Sequence, residues 1–316
     1  MDQLASMRIF VTVADEQSLV RSARIHDLSA SAVSKHIAAL ENRLGAQLLA
    51  RTTRKVALTE VGATYLQKCR QILHDIELSE DFVRGATGSV TGVLRLESPP
   101  GFAHRHIAPH LPMFMDQHPH LSIELSTSDI SQNLLESGLD ISIRMMPMPD
   151  SNGLAYTELA PNHRQLVATQ KYLETNGTPT NTADFAKHRL ITLRHESTGN
   201  DWHFKDEKGA SKTFKARGDM VLDSGDAILR AVLNDGGISM LPSYVTGRHL
   251  REGNLVPVLD DLVMEDFPIH AVTAPSPHHQ PKIDAFLKFL LELYGPTPYW
   301  EQRDVPPSEA ARRASL

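Results

Sequence analysis

The chain has 316 residues, 41% of them hydrophobic, with 32 Lys and Arg against 38 Asp and Glu and a single cysteine. That is enough apolar material for two or three domains and excludes disorder as the main state, while one cysteine excludes an internal disulfide and any C-x-x-C metal or redox site. The net charge of −6 argues against a wholly basic nucleic-acid coat. No apolar run reaches the ~20 residues that cross a bilayer, and no basic-then-apolar export signal opens the chain, so a cytoplasmic protein with no membrane partner is expected.

Leu4, Met7, Phe10, Val11 and Ala14 recur at three- and four-residue steps and predict a first helix ending at Asp15-Glu16. Ser18 is placed to cap a short second helix carrying Leu19, Ser22 and Ala23, and a tight turn follows at His26 to Ser29. A third helix has Val33, Ile37, Leu40 and Leu44 on one face, Ser31, Ser34, Lys35 and Ala38 on the other, and Gly45 at its end. Leu48-Leu49 and Val56-Ala57-Leu58 read as two short strands joined by the basic turn Arg51-Thr52-Thr53-Arg54-Lys55, a wing. Residues 1–58 carry eight Lys and Arg against five Asp and Glu, so this segment is basic and the remainder acidic.

A brace helix followed by a second helix is the arrangement that lays the latter's first turn in a major groove. Ser29, Ser31, Ser34 and Lys35 are the candidates for bases and phosphates, and Arg51, Arg54 and Lys55 for flanking phosphates or the minor groove. Thr59 caps a long helix, about Glu60 to Arg84, with a narrow seam of Leu66, Cys69, Leu73, Ile76 and Val83. At ~1.5 Å per residue it is ~37 Å long. With no partner nearby in sequence, it is expected to pair with its copy in another subunit, with Cys69 packed in that contact rather than acting as a redox sensor. Gly85, Gly88 and Gly92 form a hinge.

From Val93 short strands alternate with helices, which predicts two α/β lobes built on parallel strands. The expected strands are 93–97, 121–126, 140–144, 190–193, 220–222, 238–241 and 269–273. The helices are 106–117, 131–137, 182–187, 226–234 and 282–294. Crossings between lobes fall near Arg164 to Thr169 and Pro268 to Thr273, and the proline-rich tail from Pro296 is expected to be disordered. The predicted division is 1–59 for the DNA-binding unit and 60–92 for linker and hinge. The effector domain takes 93–294, with lobe I 93–163 and 269–294 and lobe II 164–268, leaving 295–316 as tail.

The sequence resembles the LysR-type transcriptional regulators. Met7 to Asp15, Ser18 to Arg24, Ser31-Ala32-Val33-Ser34-Lys35-His36-Ile37, Leu40-Glu41, Leu44-Gly45, Leu48 to Arg54 and Leu58 to Gly62 carry the likeness without gaps. It continues through Gly92 to Leu96, Asp140 to Arg144, Ala231-Val232-Leu233, Gly236-Gly237-Ile238, Leu241-Pro242 and Gly253 to Leu259. The fold class implied is an N-terminal all-α winged helix-turn-helix, a long linker helix, and a two-lobed α/β effector domain like a periplasmic solute-binding protein. The resemblance adds Ala30, His36 and Thr52 to the DNA-binding set, and implies a homodimer assembling to a homotetramer, RNA polymerase as a partner, and no cofactor. The chain departs from the family at Ala30 and His36, where glutamine is common, and at His26, where a core leucine is expected and a packed, hydrogen-bonded histidine is foreseen.

Ligands of open α/β sheets sit beyond strand carboxyl ends. Ser98, Pro99 and Phe102, Thr127 and Ser128, and Ser224 and Asp226 mark three such edges, with Arg144, Arg194, His195 and Trp202 expected to line the same crevice. Two arginines favour a carboxylate as effector, against the repulsion of Asp223 and Asp226. Two other classes compete. His104-x-His106-x-x-x-His110 has a spacing that serves Zn²⁺ in some folds, yet Pro109 and Pro112 mark a helix start there, and His195-Glu196 lacks a second histidine. A solute receptor without gene control is opposed by the winged N-terminus. The expected outcome is a regulator, not an enzyme, with no metal site.

Overall fold

A computed structural model describes residues 2–51, 56–85, 90–129, 133–145, 153–194, 201–205, 210–275 and 280–302. The first three helices are α1 (Gln3–Glu16), α2 (Leu19–Ile25) and α3 (Ala30–Leu44), each opened by a side-chain cap: Asp2 on Leu4 N, Ser18 on Arg21 N and Ser29 on Ala32 N. Gly45, at φ 65°, ends α3 in the left-handed conformation that glycine adopts freely. Phe10, Val13, Val33 and Ile37 are fully buried between the helices.

Strands β1 (Leu49–Arg51) and β2 (Val56–Leu58) pair antiparallel with Leu49 opposite Leu58. The Glu41 carboxylate accepts from Leu48 N and Leu49 N at 2.9 and 3.1 Å, anchoring the wing to α3. Helix α4 (Glu60–Gly85) starts where Thr59 Oγ1 accepts from Gly62 N at 2.9 Å. Gly62 is required there, since a Cβ would stand 2.0 Å from the Leu48 carbonyl oxygen.

The expectation that the α4 seam lacks a partner in its own chain is corrected. Leu66, Cys69 and Leu73 are 8%, 0% and 8% exposed and belong to the core that also holds Phe10 and Val13, with Tyr65 against Phe10 at a ring separation of 5.8 Å. The apolar stripe of α1 is wide enough to cover α3 on one side and α4 on the other. Burial pushes the Cys69 thiol up to about 11, the state of a protonated packing group. Val61 and Ile72, at 55% and 40%, are the large apolar groups that α4 leaves exposed among those described.

The rest of the chain runs through β3 (Gly92–Ser98), α5 (Pro100–Phe102), a π-helical turn (Ala103–Ile107), a 3₁₀ turn (Ala108–His110), α6 (Leu111–Gln117), β4 (Leu121–Thr127), α7 (Leu134–Ser137), β5 (Ile141–Met145), β6 (Ala155–Ala160) and β7 (Arg164–Ala168). It continues with α8 (Gln170–Asn176), a 3₁₀ helix (Thr182–Lys187), β8 (Ile191–Leu193), β9 (Asp201–Lys205), β10 (Ser211–Lys215), β11 (Met220–Leu222) and α9 (Gly225–Leu233). Last come β12 (Ser239–Pro242), α10 (Ser243–Arg251), β13 (Val256–Pro257), β14 (Val263–Met264), β15 (Ile269–Thr273) and α11 (Pro281–Tyr294).

Lobe I is a five-stranded sheet in the order β4-β3-β5-β15-β6, under a core of Phe102, Phe114, Ile141, Phe286 and Leu290. Only part of it is parallel: β3 runs with β4 and β5, while β15 is antiparallel to β5 and β6. Lobe II holds β12-β7-β13, all antiparallel, the parallel pair β8-β11, and a small sheet β10-β9-β14. The uniform parallel alternation expected from the sequence is thus replaced by mixed sheets. The strand that returns from the other lobe, β15, enters against the direction of its neighbour.

Helix α4 is tied to lobe I by buried charge. Asp140 accepts from Arg95 N at 2.7 Å and meets Lys282 Nζ at 3.2 Å, with His74 Nε2 at 3.9 Å; Glu77 of α4 holds Arg95 at 2.6 Å. The expected disordered tail is also corrected at its start. Residues 298–302 turn back onto both lobes, Trp300 is 3% exposed, and Arg251 donates to the carbonyls of Tyr299, Trp300 and Gln302. Aromatic burial outweighs the proline content that suggested disorder. Residues 303–316 lie outside the described part.

Candidate DNA interface and effector cleft

The first turn of α3 stands clear of the protein. Ser29, Ala30, Ser31 and Lys35 are exposed and Ser34 is half-buried, on the face opposite Val33, Ile37 and Leu40. Ser31 and Ser29 share a hydroxyl hydrogen bond of 2.9 Å, and Lys35 has no acidic partner among the described residues. A charge left unneutralised by its own fold is what an anionic backbone attracts. His36 differs: its Nδ1 lies 2.9 Å from Ser6 Oγ, so that nitrogen serves the contact between α3 and α1. His26 is half-buried with Nε2 2.8 Å from Thr12 Oγ1, the packed and hydrogen-bonded histidine foreseen. Arg51 lies at the end of β1, while Thr52, Arg54 and Lys55 fall outside the described residues.

In the effector half, β3 and β4 end side by side with Ser98 opposite Thr127, and Ser128 N donates to Ser98 O at 3.1 Å. Pro99 starts the helical run that follows. Across from this edge, β11 leads through Ser224 into α9, and Arg194 N donates to Leu222 O at 2.6 Å beside it. The Ser224 hydroxyl does not cap α9. Arg144 sits at the carboxyl end of β5, its Nε donating to Ser142 Oγ, which in turn donates to the buried Glu97. His195 lies outside the described residues.

Two expected lining residues are corrected to core. Phe102 is 0% exposed, edge-on to Tyr244, Tyr294 and Trp300 at 5.4, 5.9 and 5.9 Å. Trp202, 5% exposed, packs on Phe185 and Phe214 inside lobe II. Both are large apolar groups one step from a strand end, and each turns toward its own lobe's interior, where its burial is worth most.

Three groups were missed by the sequence reading. Arg105, on the π-helical turn of lobe I, forms an ion pair with Asp226 of lobe II; Tyr244, at the start of α10, packs beside it; Arg164 lies over the Phe267 ring at 4.4 Å where the chain crosses between lobes. Burial lowers the Arg164 pKa from its ordinary value. The signal for Arg105 is its place between His104 and His106, where a permanently charged side chain interrupts the histidine spacing.

The histidine set has no metal geometry. His106 is buried, with Nε2 2.9 Å from the Tyr244 carbonyl oxygen, which must accept, and Nδ1 2.6 Å from the Tyr299 hydroxyl, which then donates. Burial drives its pKa down to about 3, so the ring is neutral with both nitrogens occupied. Among the described residues no cluster of three or more His, Cys, Asp or Glu side chains is arranged to hold a metal, and no helix is long and apolar enough to cross a membrane.

A three-helix head whose α3 begins on an exposed turn, a linker helix and a two-lobed α/β half define a DNA-binding regulator of the winged helix-turn-helix class. Residues 4–63 match the family described as bacterial regulatory helix-turn-helix protein, lysR family, and residues 87–295 match the LysR substrate binding domain. The chain belongs to the LysR family of DNA-binding transcriptional regulators with an effector-binding domain, and is not an enzyme. It is 33% identical to an uncharacterized HTH-type transcriptional regulator of Haemophilus influenzae over 281 residues, 89% of this chain and 96% of that one. The structure of CrgA from Neisseria meningitidis aligns with a TM-score of 0.60 at 29% identity, covering 91% of this chain and 97% of that one. Full-length CbnR complexed with its target DNA has the same fold at 19% identity, TM-score 0.58, covering 92% and 99%.

Proposed function

We propose that this regulator is a cytoplasmic homodimer, assembling further to a tetramer, that reads a pseudo-palindromic operator and responds to a small molecule bound between its lobes. The observation that carries the reading is the first turn of α3, where Ser31 and Lys35 are exposed and Lys35 is unpaired. Ser29, Ala30, Ser31, Ser34 and Lys35 enter the major groove, and Arg51, Thr52, Arg54 and Lys55 of the wing take the flanking phosphates. His36 contributes through its α3 position while one ring nitrogen stays on Ser6. The division into residues 1–59, 60–92 and 93–294, with lobes exchanged near 164 and 269, belongs to this reading, and the separate sheets of the two lobes support it.

One head makes too few base contacts for useful selectivity, and a two-fold dimer reads half-sites one helical turn, ~34 Å, or its multiples apart. The exposed Val61 and Ile72 of α4 support pairing of linker helices. Effector binding shifts the angle between lobes, and thereby between dimers, through its unequal affinity for the two arrangements, changing DNA bending and polymerase contact. Ser98, Pro99, Thr127, Ser128, Ser224 and Asp226 form the rim of the effector site, with Arg144 and Arg194 behind it.

Footprinting on DNA upstream of the gene is the test. Two protected half-sites related by a two-fold axis are expected; retention that is erased by salt and indifferent to sequence would overturn the reading.

A further inference from the structure

An ion pair bridges the two lobes, alongside the hydrogen bond from His106 to the Tyr244 carbonyl oxygen and the packing of residues 298–302 on both lobes. Arg105 belongs to lobe I, on a single π-helical turn, an irregularity that re-aims one side chain out of an otherwise helical run and recurs at functional sites. One terminal nitrogen of its guanidinium donates to Gly101 O at 3.1 Å; the other meets Asp226 Oδ1 of lobe II. Neither side chain is sequestered, at 29% and 37% exposed, so solvent and solutes reach the pair.

Around it stand unused polar groups. The Tyr244 hydroxyl is 3.9 Å from the place a Cβ on Gly101 would take, and it makes no hydrogen bond with a described residue. Its pKa, raised to about 12 by burial, is pulled in opposite directions by Arg105 and by Asp129 and Asp226, which places the hydroxyl within the field of the pair. The Ser224 hydroxyl, two residues before Asp226, caps nothing.

We propose that Arg105 is the anion receptor of the cleft, that Asp226 is the chain's own stand-in for a ligand, and that the effector is a small monocarboxylic acid whose carboxylate takes the place of Asp226. This rests on the reading that the effector binds between the lobes. A guanidinium presents two parallel donors to a carboxylate, and a free acid meets that fork without the geometric constraint that holds Asp226 to its helix. The exchange cuts the charged tie while the His106 ring still donates to the Tyr244 carbonyl oxygen, so ligand binding leaves the lobes to pivot about that remaining contact. The released Asp226 leaves a negative charge nearby, which disfavours a diacid, and Tyr244 and Ser224 stand to donate to the ligand's remaining polar atoms.

The arrangement makes an unusual demand on Asp226. If Asp226 is a competitor, removing its charge strengthens ligand binding; if it is a wall of the site or a structural tie, removal weakens binding or does nothing. The experiment is calorimetric titration of the full-length protein with straight-chain, branched and aromatic monocarboxylates and with the primary amides of the same acids. At least one acid is expected to bind with its amide about tenfold weaker, to tighten by about three- to tenfold in Asp226→Asn, and to be lost in Arg105→Gln but partly kept in Arg105→Lys. Because Asp226→Asn and Arg105→Gln both break the pair, their operator footprints without ligand are expected to shift toward the footprint of the native protein with acid bound, and melting curves of each variant report its folding. Amides that bind as well as acids, no acid that binds, weaker binding in Asp226→Asn, or native binding in Arg105→Gln would each overturn the assignment. If the native protein gives no footprint, the regulator reading fails; if the footprint stands and the acid ignores Arg105, only this inference fails.

Discussion

The two ends of this molecule solve recognition in opposite ways. The reading head is made from consecutive residues, and the groups proposed to meet DNA, Ser29, Ser31 and Lys35, sit on one exposed helical turn whose opposite face is the core. The proposed effector cleft is gathered from strand ends and helix starts that lie more than a hundred residues apart, as Arg105 and Asp226 do. In the first, a periodic pattern separates core from contact surface. In the second, residues adjacent in sequence take opposite fates: Arg105 reaches across the cleft while His106 disappears into the aromatic core. Local pattern therefore identifies a surface built on one element, and long-range packing decides a surface built between elements.

The sharpest way to break that distinction is to compare a core residue and a rim residue of the cleft. Phe102→Ala removes a fully buried ring shared by Tyr244, Tyr294 and Trp300, and a loss of about 3–5 kcal/mol is expected from transfer and cavity terms together. Ser224→Ala removes a hydroxyl that caps nothing, so its stability stays within about 0.5 kcal/mol while the effector response is abolished. Thermal melts and a ligand-dependent gel shift measure the two. A stable Phe102→Ala protein that had lost only its response would return Phe102 to the binding set.

A second test concerns the histidine that the strap of residues 298–302 encloses. His106 has a pKa of about 3 when folded against an ordinary value of 6.5, so the unfolded chain takes up the proton first. Its contribution is fully present above about pH 6.5 and fades as pH falls toward 3. Between pH 7.5 and 5 the loss is about 2 kcal/mol, since each unit of pKa difference is worth about 1.4 kcal/mol. Denaturation at the two pH values is the measurement. His106→Gln, which does not titrate, should be less stable at pH 7.5 but lose less on acidification, and an unchanged slope would assign the acid sensitivity to other groups.

Much of the head was legible because its signals are short-range: Ser18 and Thr59 cap the helices they were expected to cap, and Gly45 closes α3. The α4 seam misled because periodicity shows that a face is apolar without showing what covers it, and α1 of the same chain proved to be the cover for Leu66, Cys69 and Leu73. In the sensor, the strands at 220–222 and 269–273 were seen, whereas β6, β7, the β9-β10 hairpin and α10 were not. Their sequences alternate weakly, for half-buried strands such as Ser211–Lys215 carry three exposed polar residues in a row. Trp202 and Phe102 were placed in the crevice by proximity to strand ends, a criterion that ignores which way the side chain turns. The tail was judged by composition, and Tyr299 and Trp300 were too few to register although they bind both lobes.

The smallest effect belongs to a single charge on the exposed turn. Lys35 has no acidic partner among the described residues to lose, so Lys35→Ala leaves the stability of the head unchanged within about 0.5 kcal/mol. Its cost appears only on DNA. A phosphate contact releases about one counterion, and the plot of log affinity against log salt should become shallower by about one unit. The weakening should be uniform across operator variants, because a phosphate carries no sequence, whereas Ser34→Ala should alter the preference among variants more than the overall affinity. Titrations at several salt concentrations separate these outcomes. A native salt slope in Lys35→Ala, with altered base preference, would move Lys35 from the backbone to a base edge and leave the helix in the groove; no change in either would take the first turn of α3 off the DNA altogether.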